Sequence, residues 1–287
     1  MEYLSPKDLE SRPLVVVGAG TLGRRIALMQ ATAGAEVRLV DPSRGALEEA
    51  QAYIESELPE LVSATNKNPG TLTTTEDLTS ALEGAWLITE AVPEKLEMKI
   101  DLFAELDRLA PSEAILASNS SSYPTRQMVE RVSRRERVVN THYYMPPKVN
   151  AVEIMSCGYT NPPVIDLLVQ RLPAYGLVPF IVREESVGFI FNRVWAAIKR
   201  ESLAVVAEGV SSPEDVDRLF SLVFGTSKGP FQLMDMVGLD VVLDVEEHYA
   251  KVRPELPSGP RQLLRRYVDQ DRLGVKTGRG FYDYGTR

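Results

Sequence analysis

The sequence predicts an α/β domain with a doubly wound, mostly parallel sheet, followed by an all-helical domain. Three features predict it. Short continuous apolar runs such as Leu14-Val15-Val16-Val17 recur through the first 185 residues, and such runs suit strands buried on both faces. Helical stretches alternate with them, and strand–helix–strand within about 30 residues is the βαβ unit of parallel sheets. Beyond residue 187 the alternation stops and only helical patterns follow. The border is placed between residues 1–185 and residues 186–287.

Taken in order, residues 14–17 read as a strand and 22–33 as a helix with Leu22, Ile26 and Met29 on one face. Gly34 is its expected stop. A strand at 36–40, an acidic helix at 46–62 and a strand at 86–92 follow. Next come an amphipathic helix at 94–109 and a strand at 114–119 that runs into serines. Residues 137–144 and 151–155 read as short strands, 162–175 as a helix and 177–182 as a strand. The second part opens with one long helix at 188–208. Ser212 then suits an N-cap, with Pro213 at the first helical position and Glu214 and Asp215 in the first turn. Helices are expected at 213–223, 231–250 and 260–272.

Composition narrows the function classes. Hydrophobic residues make up 44% and charged residues 25% of the 287, ordinary for a globular chain with a sizeable core. A net charge of −8 argues against nucleic acid as a partner, which needs clustered Lys and Arg. The one basic run, Arg131 to Arg137, reads as a solvated helix end. The single Cys157 permits no internal disulfide and no cysteine metal centre, and reads as a small apolar filler in a reducing compartment. No spacing of metal ligands is seen. The first 13 residues resemble neither a signal nor a transit peptide, and Gly285-Thr286-Arg287 is not a peroxisomal address. No apolar run reaches the ~20 residues that span a bilayer. The expectation is a cytoplasmic protein without a membrane partner.

Gly18-Ala19-Gly20-Thr21-Leu22-Gly23 has the G-x-G-x-x-G spacing, between an expected strand and an expected helix. The next strand ends in Asp41, 18 residues after Gly23. Each part has a physical task in a Rossmann dinucleotide site. Gly18 permits the tight turn, Gly20 lets backbone approach a pyrophosphate, and Gly23 lets helix and strand pack closely. Asp41 suits the ribose hydroxyls and repels a 2′-phosphate, which favours NAD over NADP. Arg44 nearby weighs the other way. The fold class is thus an N-terminal Rossmann doubly wound sheet followed by an all-α C-terminal domain.

The chain has two histidines. His142 ends an apolar strand, and Glu153 lies in the next one. A carboxylate in an apolar strand is costly unless paired. From the residues alone two readings stand equal: a base with its orienting acid, or an unrelated core histidine and edge glutamate. Ser121 likewise suits a helix cap, Asn192 the start of the long helix and Lys95 an exposed helix surface. His248 reads as structural. Trp195 and the Tyr143–Tyr144 pair read as packing or pocket lining.

The stretches VVVGAGTLGRRIA (15–27), ASNSSS (117–122), GFIFNR (188–193), AEGVSSPEDVDRLF (207–220), GPFQLMDMVGLD (229–240) and KTGRGFYDY (276–284), with the His142 strand and its following glutamate, together resemble the L-3-hydroxyacyl-CoA dehydrogenase family over nearly the whole chain. The resemblance implies roles. His142 is the general acid/base and Glu153 its carboxylate partner. Ser121 lies near substrate oxygen and nicotinamide, and Asn192 comes from the helical domain. Glu90, Lys95 and Lys276 are cofactor-side residues, beside Gly18, Ala19, Gly20, Thr21, Leu22, Gly23 and Asp41. The implied reaction is NAD-dependent interconversion of a 3-hydroxyacyl and a 3-oxoacyl group, as in fatty acid metabolism, with the helical domain serving the substrate and a homodimer. Broad apolar faces such as 230–243 fit that dimer.

Two departures bear on substrate. The family's asparagine three positions after the histidine is Met145 here. Residues 41–70, which carry CoA-binding lysines in the family, hold Asp41, Glu48, Glu49, Glu55, Glu57 and Glu60 against Arg44 and Lys67, a poor match for a polyanion. SNSSSY and NRVWAAIKRE are also similar to the L-gulonate and carnitine dehydrogenase branch. A non-CoA 3-hydroxy acid or specialised metabolite is therefore the alternative substrate. A non-catalytic NAD(H)-binding protein is the alternative of another class, against which the retained Ser121, His142, Glu153 and Asn192 argue.

Overall fold

The computed structural model describes residues 6–65 and 68–285. Lys67, Thr286 and Arg287 lie outside them. The chain divides into two units, 1–190 and 191–287. The border falls at 190/191 instead of 185/186 because Ser186–Ile190 belongs to the first unit: the Ser186 N–H donates to the Met155 sulfur at 3.4 Å.

The first unit runs β1 (Leu14–Val17), α1 (Thr21–Thr32), β2 (Glu36–Val40), α2 (Arg44–Thr65), β3 (Thr71–Thr75), α3 (Leu78–Ala81), β4 (Leu87–Glu90), α4 (Leu96–Leu109), β5 (Ile115–Ser118), β6 (Val138–Met145), β7 (Val149–Ser156), α5 (Pro162–Arg171) and β8 (Val178–Val182). The sheet order is β3-β2-β1-β4-β5-β6-β7-β8, parallel except for the β6–β7 hairpin. Strand order reverses between β1 and β4, and ligands of open α/β sheets bind in the crevice at that point. Side chains alternate across each strand. Leu14 and Val16 pack in one core with α1 and α2, and Val15 and Val17 pack in the opposite one with Phe103 and Leu106 of α4.

Strand β3, unseen in the sequence reading, is Thr-Leu-Thr-Thr-Thr at the sheet edge. Its β-branched residues favour extended backbone, but an edge strand needs no apolar run. The short α3 was also unseen, although Asp77 caps it by accepting from Thr79 N at 2.9 Å. The expected helix at 162–175 stops at Arg171 and tightens into a 3-10 turn through Pro173.

The run 131–137 is not a solvated helix end. Arg137 is fully buried. Its guanidinium donates to the Pro111 carbonyl at 2.6 Å and the Asp107 carboxylate at 2.9 Å. Burial works to raise the Asp107 carboxyl, but the Arg137 hydrogen bond, the Ser133 amide and the charges of Arg137 and Arg134 outweigh it and hold it below the usual range. A depressed carboxylate contributes stability above its unfolded pKa and loses it as pH falls through the folded value. Between pH 5 and pH 3, Asp107→Asn is expected to lose less urea stability than the parent protein. Equal losses would rule this contribution out.

The second unit comprises α6 (Phe191–Ala207), α7 (Pro213–Phe224), α8 (Pro230–Val237), α9 (Leu239–Val252) and α10 (Gly259–Val268). Ser212 caps α7 through Asp215 N at 3.2 Å. The single helix expected over 231–250 is two, broken at Gly238, whose φ of 108° is costly for any other residue. Two buried aspartates clasp the unit. Asp217 accepts from Phe231 N at 2.7 Å, Gln232 N at 2.9 Å and the Tyr282 hydroxyl at 2.9 Å. Asp235 accepts from Phe281 N, Tyr282 N and the Tyr284 hydroxyl, each at 3.0 Å. The glycine-aromatic ending thus closes the helical core around Phe231, Met234 and Phe281.

Candidate active site

The loop from β1 to α1 has the geometry its glycines allow. Gly18 adopts φ 107°, and a Cβ there would lie 2.6 Å from the Ala91 carbonyl oxygen. A Cβ on Gly23 would lie 1.8 Å from the Gly18 carbonyl oxygen. Gly20 differs: no atom lies within 4 Å of its Cβ direction. It is the N-cap of α1 and offers no side-chain cap, so the first-turn N–H groups have no partner in the helix. Open space in front of a helix N-terminus is what a pyrophosphate requires. Thr21 is exposed and Leu22 half-buried in that first turn. Asp41 ties the loop to β2, accepting from Ala19 N and Ser43 N at 2.8 Å each, and stays half-exposed. Arg44 pairs with Glu48 at 3.0 Å. These residues fit NAD.

At the end of β4 the structure shows what surrounds the expected cofactor-side residues. Glu90 is fully buried. Its oxygens accept from Lys99 Nζ at 2.6 Å, Val92 N at 2.9 Å and the Ser118 hydroxyl at 2.6 Å. It joins β4, β5 and α4 and leaves no face for a ligand. Lys95 is exposed at the N-cap of α4, without a capping bond. The sequence reading missed Glu94 and Lys99. Glu94 accepts from the Ser120 hydroxyl at 2.5 Å, Ser122 N at 2.9 Å and Lys99 at 3.0 Å. Burial would raise its carboxyl, yet the Ser120 hydroxyl, the Lys99 charge and the Ser122 amide hold it below the ordinary value. A signal existed: Lys99 shares the apolar stripe of Leu96, Ile100 and Phe103, where a lysine needs a buried partner. Ser121 stands exposed at the crest of the serine run.

The β6–β7 register sets His142 directly opposite Glu153. Both are buried, and His142 Nδ1 lies 3.0 Å from Glu153 Oε2. The Tyr144 hydroxyl donates to the same oxygen at 2.7 Å, and Ile190 N donates to Oε1 at 2.8 Å. Tyr144 therefore belongs to the network and not only to packing. Burial, with Glu153's acceptance of its hydroxyl proton, pushes the Tyr144 phenol up. A carboxylate only accepts, so this contact selects, for the neutral imidazole, the tautomer with hydrogen on Nδ1 and the lone pair on Nε2. Phe189 stacks on the imidazole at 4.8 Å, and Tyr144 tilts against it at 4.7 Å. Phe189 has φ 54°, directly after Gly188 at 78°. A left-handed phenylalanine costs about 1–3 kcal/mol, and here that conformation accompanies the stacked ring and the Ile190 N–H aimed at Glu153.

In the second unit, Asn192 is half-buried in the first turn of α6. Lys276 is held by Asp240 at 2.6 and 2.5 Å. That ion pair, at the surface, gives it a partner in its own unit. Among the described residues no group of three potential ligands is placed to hold a metal, and no helix is long and apolar enough to cross a membrane.

An open helix N-terminus beside an acid-ended second strand defines a dinucleotide site of the Rossmann class, and the comparisons with known proteins make the class an NAD-dependent dehydrogenase. The chain belongs to the 3-hydroxyacyl-CoA dehydrogenase family: the family's NAD-binding domain matches residues 13–185 and its C-terminal domain residues 188–284. It is 31% identical to human mitochondrial hydroxyacyl-coenzyme A dehydrogenase, over 98% of this chain and 93% of that one. It is 30% identical to the 5-formyl-3-hydroxy-2-methylpyridine 4-carboxylate 5-dehydrogenase of Mesorhizobium japonicum, over 95% and 91%. The crystal structure of (S)-3-hydroxybutyryl-CoA dehydrogenase from Ralstonia eutropha superposes with a TM-score of 0.85 at 29% identity, covering 96% of this chain and 99% of that one.

Proposed function

We propose that the protein interconverts a 3-hydroxyacyl and a 3-oxoacyl substrate, with His142 as the acid/base. The observation that carries this reading is the buried contact of 3.0 Å between His142 Nδ1 and Glu153. Bound NAD supplies the hydride acceptor at its nicotinamide. His142 Nε2 takes the proton of the substrate's 3-hydroxyl, and Glu153 holds the ring in place and stabilises the imidazolium. Ser121 and Asn192 hydrogen-bond the oxygen as its charge develops. Gly18 to Gly23 and Asp41 hold the cofactor, with Ser121, Lys95 and Glu94 on its nicotinamide side.

Two substrates fit this chemistry. The names of the human and Ralstonia relatives support a CoA thioester, and so a place in fatty acid metabolism. The acidic α2, where exposed Glu48, Glu49, Glu55 and Glu57 outnumber Arg44, supports a free hydroxy acid instead, and the name of the Mesorhizobium relative is that of an enzyme for a carboxylate. Met145, 38% exposed at the end of β6, stands where the family resemblance places an asparagine, so one polar group near the nicotinamide is missing. The helical unit pairs with a second copy through α7, where Leu219, Leu222, Val223 and Phe224 are 63–79% exposed. A monomer mass in light scattering would overturn the dimer. The cytoplasm is the proposed compartment.

The test is NADH oxidation with acetoacetyl-CoA, repeated with His142→Gln. Turnover in the parent protein, lost in the variant with NADH still bound, supports both the base and the thioester. No turnover with bound NADH rejects the thioester. A panel of free 3-hydroxy acids then separates the free-acid enzyme from a binding protein.

A further inference from the structure

On one turn of α1, Arg24 and Arg25 lean over a single ring. Their guanidinium carbons lie 4.7 and 5.2 Å from the centroid of Tyr53 on α2. Helix neighbours i and i+1 point about 100° apart, so both side chains bend to reach the same place. The Nε atoms of both are buried and have no hydrogen-bond partner. Among the described residues neither arginine has a carboxylate partner. Glu49 and Glu57, one turn to either side of Tyr53, are exposed and unpaired with them. One arm is fixed: Arg25 Nη1 donates to the Pro146 carbonyl at 3.0 Å.

Two like charges gathered on one ring repel, and among the described residues no carboxylate forms an ion pair with either of them. An oxyanion relieves that repulsion, and the planar guanidinium fork matches a carboxylate or phosphate edge. The site lies at the ligand-binding edge of the sheet, because α1 starts there and Pro146 directly follows β6. It lies within substrate reach of the acid/base: Pro146 is four residues beyond His142, at most roughly 13 Å along extended chain.

We propose that Arg24, Arg25 and Tyr53 form a receptor for an anionic group at the far end of the substrate. The ligand chemistry is an oxyanion, either the distal carboxylate of a hydroxy diacid or a phosphate of a CoA thioester. The arginines grip it, and the Pro146 anchor ties the grip to the hairpin that carries His142. The receptor rests on the dehydrogenase reading only for assigning the anion to the substrate.

The first measurement is calorimetric binding to the NADH-loaded protein, with suberate against octanoate, which differ in one terminal carboxylate. At least tenfold tighter binding of suberate is expected, and Arg24→Gln or Arg25→Gln should erase the difference while NADH affinity stays within twofold. Arg25→Lys, which keeps charge and bulk, should restore part of it and controls for a folding defect. This arm needs no turnover, so it stands even if the proposed reaction fails. The second arm compares KM for acetoacetyl-CoA and for its N-acetylcysteamine thioester, which lacks phosphate. A tenfold rise in the variants for the CoA substrate alone identifies phosphate as the occupant. Equal binding of suberate and octanoate, with unchanged KM values in both variants, would overturn the receptor and leave the arginines as packing on Tyr53.

Discussion

Replacing Glu153 with glutamine is expected to lower kcat by about 10²–10⁴-fold, the range of general acid–base catalysis, with NADH affinity unchanged. Three donors converge on this carboxylate: His142 Nδ1–H, the Tyr144 hydroxyl and Ile190 N. Glutamine keeps one acceptor oxygen and turns the other position into a donor. If the amide donates toward Nδ1, the imidazole shifts to the tautomer with hydrogen on Nε2, and the group facing the hydroxyl stops being a base. Tyr144→Phe leaves the carboxylate intact, so its loss should be smaller, at most about 10–150-fold if the whole energy of one hydrogen bond to a charged group were lost from the transition state. Stopped-flow and steady-state turnover with bound NADH distinguish the two. A Glu153→Gln kcat within threefold of the parent would remove His142 from the chemistry or Glu153 from its support.

That pair shows how far the sequence could be read. Each strand was visible as an apolar run, and the odd polar residue in each was visible too. What was not visible was the register, which a one-residue slip reverses. The register is set by the turn after Met145 and by the irregularity between Tyr143 and Met145, neither of which leaves a periodic trace. The glycine loop was legible for the opposite reason: its function is carried by backbone, and only glycine tolerates a φ of 107° at Gly18 or the 1.8 Å approach at Gly23.

Segment Glu90–Lys99 contains two Glu–Lys spacings of the same length, Glu90 to Lys95 and Glu94 to Lys99, and the sequence did not show that Lys99 reaches both glutamates. Glu90 ends β4, Lys95 is the N-cap of α4 and only Lys99 lies within the helix, on its buried stripe, so the path of the chain from strand to helix decides which lysine meets the carboxylates. Arg137 misled in the same way: a run of charge reads as solvated until a buried Asp107 is known to meet it. Strand β3 was missed since apolar runs mark only strands covered on both sides, and β3 is an edge.

The buried member of the Glu90–Lys99 segment should also carry the largest stability effect. Lys99 is 1% exposed and Glu90 0%, at 2.6 Å. Lys99→Met keeps most of the apolar stem but strands Glu90 in the sheet. Removing one partner of a buried pair costs about 3–5 kcal/mol, because the remaining charge is uncompensated. Urea unfolding should show that loss. The double variant Lys99→Met with Glu90→Gln should recover a good part of it, since no buried charge is then left unpaired. A single-variant loss below about 1 kcal/mol would mean that water reaches Glu90. The same lysine holds Glu94, and Glu94 in turn holds Ser120 and Ser122 on either side of Ser121. NADH affinity should therefore fall in Lys99→Met and stay low in the double variant, where stability returns but the grip on the serine loop does not. That split separates the lysine's two tasks: neutralising a buried carboxylate, and aligning the loop that carries Ser121.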